Sequence, residues 1–289
     1  MLTTDATTRN FDAADQPRGE TGSRPRTVLI CHHDAPLDHD GMARWLASFS
    51  DLAGLVIIEE TRAQVQARVK RELKRVGPLR FLDVLAFRAY YRSFLKPADT
   101  RWTNAELERL RGRFAAASCP ILRTRTPNGE DVVRFIRAAR PDIVIARSKF
   151  LLKAQVFSIP RHGTYVMHPG ICPEYRNAHG CFWALAERDL DRVGLTLLKI
   201  DNGIDTGPVY GYYSYVWDER RETHYRIQSR IVLDNLDRLA ATLLDIHRGR
   251  ADPIETTGRR SGTWGQPWLT KYFGWKLRAR TRRIRRAAQ

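Results

Sequence analysis

The sequence is short of several things, and each shortage excludes a class of protein. Only four of its 289 residues are cysteine, at positions 31, 119, 172 and 181, with no C-x-x-C pair and no zinc-type spacing to histidine. That excludes a disulfide-built module and a cysteine-rich metal domain, and it predicts four free thiols and no metal site. No run approaches about 18 uninterrupted apolar residues, so no ordinary transmembrane helix is expected. The opening MLTTDATTRNFDAADQPRGE has no apolar stretch that could serve as a secretory signal. It predicts a short disordered leader over residues 1–25 and a cytoplasmic protein.

Acidic residues are also scarce beside basic ones. Lys and Arg total 49 against 32 Asp and Glu, a formal net charge of +17. The surplus is local. Arg62–Lys96 carries ten basic and two acidic residues, and Lys271 to the end carries eight basic and none acidic. Two local excesses predict attachment to an anionic surface and not a generally basic fold. What is present is ample: 43% hydrophobic and 10% aromatic residues are enough for a sizeable core.

Periodicity gives an α/β reading. Thr27–His32, Leu52–Ile58, Pro120–Arg123, Asp142–Ala146, Gly163–Met167, Gly194–Ile200 and Val209–Val216 are short apolar runs that predict strands. Helical spacing appears over Gly41–Phe49, Asp131–Ala139 with Asn128 as its cap, Phe182–Arg188, and Thr223–His247 as one long helix. Residues 61–115 interrupt the alternation with an amphipathic, basic helical insertion. Two readings of it stay open: a solvated helix at the domain edge, or a surface that meets membrane lipid or another anionic partner. The domain is expected over residues 26–256, followed by a basic tail over 257–289. Three readings of that tail stay open: a frayed solvated helix, an interfacial helix on anionic lipid, or a nucleic-acid contact.

Two stretches carry chemistry. In His168–Trp183 (HPGICPEYRNAHGCFW) a strand ends at His168, and Pro169-Gly170 turns the chain outward. Open α/β sheets bind ligands beyond the carboxyl ends of their strands, so His168 stands where a site is expected. In Lys199–Val209 (KIDNGIDTGPV) two carboxylates, Asp201 and Asp205, bracket Gly203. Either aspartate can close an Asx-turn, or one can orient His168 and raise its basicity.

Taken together, HPGxxPxYRNAH…FWA followed by GxTxxxxDxGxDTGPV resembles the folate-dependent formyltransferase family. The resemblance runs from about Thr27 to Thr256 and is sharp over Pro141–Val209. The segment Ala178-His179…Phe182-Trp183 is most similar to the sugar N-formyltransferases. The resemblance implies a Rossmann-like α/β fold, a mixed, mostly parallel sheet with helices on both faces. It implies 10-formyltetrahydrofolate as formyl donor and a small amine, an amino sugar, as acceptor. His168 and Asp205 match the family's catalytic histidine and aspartate. Lys149, Phe150, Leu151 and Leu152 match one wall of the pterin pocket, and Asp201, Asn202 and Gly203 match the other. Tyr175, Arg176, Asn177 and His179 fall on the acceptor side. Val166 departs from the pattern: the family has asparagine there, and valine has no donor for a formyl oxygen. Thr164 shares its face but lies too far from His168, whereas Asn177 could fold back and replace the donor. The family's tRNA-formylating branch carries a further C-terminal domain, and the residues after Arg250 are too few for one, so tRNA is not expected as substrate.

Overall fold

The structure is a computed structural model, and it describes residues 24–281. The leader expected over 1–25 lies outside the described residues except for its last two, and so do the last eight residues of the tail.

Nine strands form two sheets. They are β1 (Arg26–His32), β2 (Asp51–Ile58), β3 (Ile121–Thr124), β4 (Ile143–Ala146), β5 (Gly163–His168), β6 (Arg176–Asn177), β7 (Leu195–Lys199), β8 (Val209–Tyr213) and β9 (Thr263–Trp264). Seven make one sheet in the order β3-β2-β1-β4-β5-β7-β8. The pairs from β3 to β5 are parallel, and β7 and β8 add antiparallel at the edge. The mixed, mostly parallel sheet is the one expected. Strand order reverses between β1 and β4, and the crevice beyond their carboxyl ends is where such a sheet takes a ligand.

Ten α-helices are α1 (Ala43–Phe49), α2 (Arg62–Val76), α3 (Pro78–Tyr90), α4 (Lys96–Arg113), α5 (Glu130–Ala139), α6 (Ala154–Phe157), α7 (Gly180–Ala186), α8 (His224–Leu233), α9 (Leu236–His247) and α10 (Leu269–Thr281), and short non-α helical segments cover Leu37–Met42, Tyr91–Leu95 (which continues α3 into α4) and Leu190–Arg192. Alternation along β1 divides the core. Val28 and Ile30 pack with Val132, Ile136 and Val156 of α5 and α6 on one face. Leu29 and Cys31 pack on the other with Trp45, Phe182, Ile231 and Leu239. Side chains of a strand point to opposite faces in turn, so this central strand needs apolar residues at every position.

Within the insertion, Thr61 and Gln64 form a reciprocal capping box at the start of α2, a helix with no buried residue. The Asp99 carboxylate of α4 accepts from Arg226 Nε at 2.8 Å and from Thr223, which fastens the insertion to α8.

Three local expectations need correction. Thr223–His247 is two helices, broken at Asp234-Asn235, where the Asn235 amide donates to the carbonyls of Ser214 and Ile231. Asn128 does not cap α5, whose N-cap is Gly129. Its side chain instead bonds Leu151 O and Lys153 N and ties down the loop after β4. The tail is not loose up to Thr281. It folds as α10, and Tyr272, Trp275 and Ala279 are buried in the main core. The sequence signal was thinned by the arginines on the opposite face. No described helix is long and apolar enough to cross a membrane.

Candidate active site

His168 ends β5 with its ring buried. Its Nε2 lies 2.7 Å from the Tyr175 carbonyl oxygen. A carbonyl only accepts, so Nε2 carries a proton and donates it. Nδ1 lies 3.3 Å from Asp205 Oδ2, an ion pair whenever the ring carries both protons. Asp205 Oδ2 also accepts from the Asn177 backbone N–H at 2.8 Å. Asp205 sits at φ 51°, in the left-handed region, which aspartate tolerates better than most residues. The two motifs thus meet at the strand ends.

The glycines of both motifs have steric reasons. A side chain on Gly170 would stand 2.6 Å from the Tyr175 carbonyl oxygen and 2.8 Å from His168 Nε2. A Cβ on Gly203 would lie 1.9 Å from Thr206 Oγ1, and one on Gly207 1.9 Å from Lys199 O. Asp201 closes the turn, accepting from Gly203 N at 2.9 Å and Thr206 Oγ1 at 2.7 Å. So the two aspartates divide the roles left open by the sequence: Asp201 builds the turn and Asp205 faces the histidine.

Val166 shares the His168 face and borders a cleft of about 80 Å³. Phe150, Leu151, Leu152 and Ser148 line one side, and Asp201, Gly203 and Asp205 the other. Asn202 lies in the same turn. Lys149 points elsewhere, its Nζ bonded to the Asp34 carboxylate at 2.8 Å. A second cavity, of about 280 Å³, opens at the sheet's reversal point. Its lining includes Asp34, Asp38, Arg147, Lys149, Tyr225 and Ser229. The extended segment after β4 separates the two: Ala146, Ser148 and Phe150 face the cleft, and Arg147 and Lys149 face the cavity.

The residues expected on the acceptor side are not gathered in one place. Tyr175 is buried, stacked on Trp264 at 5.4 Å, with its hydroxyl donating to Asp189 at 3.0 Å. Arg176 donates to the Ile204 carbonyl at 3.0 Å and so braces the Asp205 turn. Asn177 does not fold over the site with its side chain, which donates to Trp264 O across the β6–β9 pair. His179 contacts Gln228 at 3.4 Å and lies beside His224, and burial lowers its imidazole to about 4. Thr164 is engaged with the Phe157 carbonyl at 3.0 Å. No side-chain donor among these replaces the asparagine missing at Val166.

Two positioning residues were not singled out from the sequence. His32 ends β1, accepts from Lys149 N at 2.9 Å and stacks on Phe150 at 5.7 Å. Burial, and then the Lys149 charge, lower its imidazole pKa, in keeping with a neutral acceptor. Arg147 spans Asp38 at 3.0 Å and the Met167 carbonyl at 2.8 Å, which joins the cavity to the residue beside His168. Both stand directly at parallel-strand ends, and that placement was the available signal.

The chain is an α/β domain with a doubly covered, mostly parallel sheet and a histidine–carboxylate pair at the strand ends. A family model described as formyl transferase matches residues 102–233. Over that stretch, a little under half of its length, the chain is similar to the formyl transferases. It is 34% identical to methionyl-tRNA formyltransferase of Thermotoga maritima over 91 residues, 31% of this chain and 29% of that protein. Against the same enzyme of Kosmotoga olearia it is 37% identical over 92 residues, again 29% of the relative's length. The chain therefore matches well under half the length of these curated relatives. Among solved structures, a sugar N-formyltransferase from Shewanella sp FDAARGOS_354 aligns with a TM-score of 0.52 at 13% identity, covering 88% of this chain and 87% of that one. Phosphoribosylglycinamide formyltransferase from Anaplasma phagocytophilum aligns at 0.51 and 12% identity, covering 83% and 98%. At such identities these likenesses show the fold.

Proposed function

We propose that the protein transfers a formyl group from 10-formyltetrahydrofolate to the amine of a small polar acceptor, an amino sugar. The observation that carries this reading is the His168–Asp205 pair, 3.3 Å apart at the end of β5 beside the cleft. The apolar walls from Phe150 and Leu152, with the polar turn Asp201–Asp205 opposite, suit a flat heterocycle. Leu151, 62% exposed, stands at the edge of that cleft. The acceptor amine enters from the open side of this cleft, because the second cavity is walled off by residues 146–150 and includes neither His168 nor Asp205 in its lining.

The donor supplies an activated formyl carbon. Attack by a neutral amine makes the new C–N bond, places negative charge on the formyl oxygen and requires loss of an N–H proton. With Nε2 tied to Tyr175, His168 exchanges that proton at Nδ1, and Asp205 stabilises the resulting imidazolium. Collapse breaks the bond to the donor nitrogen, and the proton leaves with that nitrogen. Val166 contributes nothing to the oxyanion. An absent donor of this kind costs about 10²–10³ in rate, or roughly 3–4 kcal/mol.

Val166 supports a second reading, a member of the fold that binds folate or an amine without turnover. Incubation with 10-formyltetrahydrofolate and a panel of nucleotide-linked amino sugars, with formyl transfer followed by mass, separates the two. Transfer to any acceptor in the panel discards the second reading. Saturable folate binding with no transfer discards the first. Charged initiator tRNA belongs in the panel as a competing acceptor.

A further inference from the structure

The two basic segments, far apart in sequence, meet in the fold. Helix α10 packs along α3: Thr270 N donates to Asp83 at 3.0 Å, and Tyr90 meets Phe273 at 5.1 Å between ring centres. Their outer side is apolar. Leu79 is 83% exposed, Leu82 62%, Phe94 71% and Leu277 66%. Leu82, Ala86 and Tyr90 follow one another at four-residue spacing on α3, Tyr90 stacks toward Phe94 at 5.2 Å, and Leu277 lies one turn beyond Phe273. Elsewhere on the described surface, large exposed apolar side chains are dispersed among other elements.

Beside this strip lies a groove of about 570 Å³ between α3, α10 and the loop at 218–221. Tyr90 and Phe273 form its aromatic wall, and Arg220, Arg221 and Arg280 bring three cations against one carboxylate, Asp218, while the Lys276 ammonium is held by the Glu219 and Glu222 carbonyls. The Asp218 carboxylate is already shared. It accepts from the Arg220 and Arg221 backbone N–H groups and lies 3.8 Å from the Arg221 guanidinium. No ion pair joins Arg220 or Arg280 to a carboxylate among the described residues. A second copy of the chain seated here would set these cations against their own duplicates. An anionic partner neutralises them, and a lipid interface also takes up leucine and phenylalanine side chains standing beside arginines.

We propose that the α3–α10 face is a docking site for anionic phospholipid. The groove cations take headgroup phosphates, and Leu79, Leu82, Phe94 and Leu277 enter the boundary between headgroups and acyl chains. The reading is independent of the catalytic one, because none of these residues lines the cleft or cavity at His168.

The test is sedimentation of the full chain with vesicles of phosphatidylcholine, with and without phosphatidylglycerol, at low and high salt. Binding is expected only with phosphatidylglycerol, and salt should reverse it. Each cation near such a surface contributes about a fivefold factor, so Arg220→Ala with Arg280→Ala should lower partitioning roughly 30-fold. Phe94→Gln with Leu277→Gln should lower it on the order of tenfold or more. All four positions are surface sites, so thermal melts of the variants should match the parent, and any that do not are replaced by Leu82→Gln. Equal binding to both vesicle types, no binding at low salt, or binding unchanged in the variants would overturn the proposal. So would a dimer in sedimentation velocity that the Phe94/Leu277 variant abolishes, with no vesicle binding, which would assign the face to a second copy. Formyl transfer assayed in the same samples keeps the fate of this site separate from that of the catalytic reading.

Discussion

Gly180 stands where any side chain on Gly170 would have to go. A Cβ added to Gly170 lies 2.9 Å from the Gly180 Cα, and one added to Gly180 lies 2.6 Å from the Gly170 Cα. This backbone contact lets the loop double back so that the Tyr175 carbonyl reaches His168. Gly170→Ala should therefore cost about 2–3 kcal/mol, as overpacking against fixed backbone does. It should also detach the carbonyl from Nε2, with transfer falling further than stability alone explains. Urea melts and single-turnover rates on the same preparation check both. A variant of normal stability and rate would show that the loop relaxes freely.

Asp205→Asn should leave the fold nearly intact. Asparagine accepts the left-handed backbone, and its carbonyl oxygen can still take the Asn177 N–H. It cannot stabilise a positive imidazole. The expected loss in kcat is on the order of 10²-fold or more. Unchanged kcat in a folded variant would remove Asp205 from the chemistry.

Val166→Asn should raise formyl transfer on the order of 10²-fold, because it places an amide donor on the face shared with His168. Val166 is only half-buried beside Cys172 and Leu198, so the polar replacement can reach the cleft without entering the core. A folded variant with no gain would mean that a backbone N–H already fills the role.

How much of this could be read in advance varies with how local the cause is. The strands were legible because β1, β4 and β5 are short apolar runs, and the sheet's central strands are buried on both faces. The His168–Asp205 meeting was legible from the two strand-end motifs. Other features depended on distant partners. Asn128 has the sequence signature of a cap, yet two groups of the 151–153 loop recruit it. Trp275 and Tyr272 sit among lysines and arginines that hide their periodicity, and only contact with α3 and α7 shows that α10 is structural. The Asn177 amide looked free to cover the site, but β9, far along the chain, supplies the carbonyl that captures it.

Acid should weaken the fold in a defined window. Burial lowers the His179 imidazole from 6.5 to about 4, and burial followed by the His179 charge lowers His224 in the same direction. Between those values the unfolded chain binds more protons than the folded one, so stability falls as pH drops from about 6.5 toward 4. For His179 the loss is on the order of 3 kcal/mol. His179→Asn keeps the positive φ and should flatten the slope. Denaturant melts at about pH 7 and about pH 4.5 measure it, and a parent profile flat across that range would contradict the burial of a neutral pair.

The extended segment from Ala146 to Phe150 works as a partition wall between two compartments. Its even-numbered side chains furnish the cleft and its odd-numbered ones the cavity. Substitutions at Ser148 or Phe150 can therefore remodel one compartment while Arg147 and Lys149 keep the other as it was. Loss or gain of a single residue in the wall would instead exchange the furnishings of both rooms at once. Divergence at this segment is thus expected to proceed by replacement and not by change of length, with the two compartments free to drift separately.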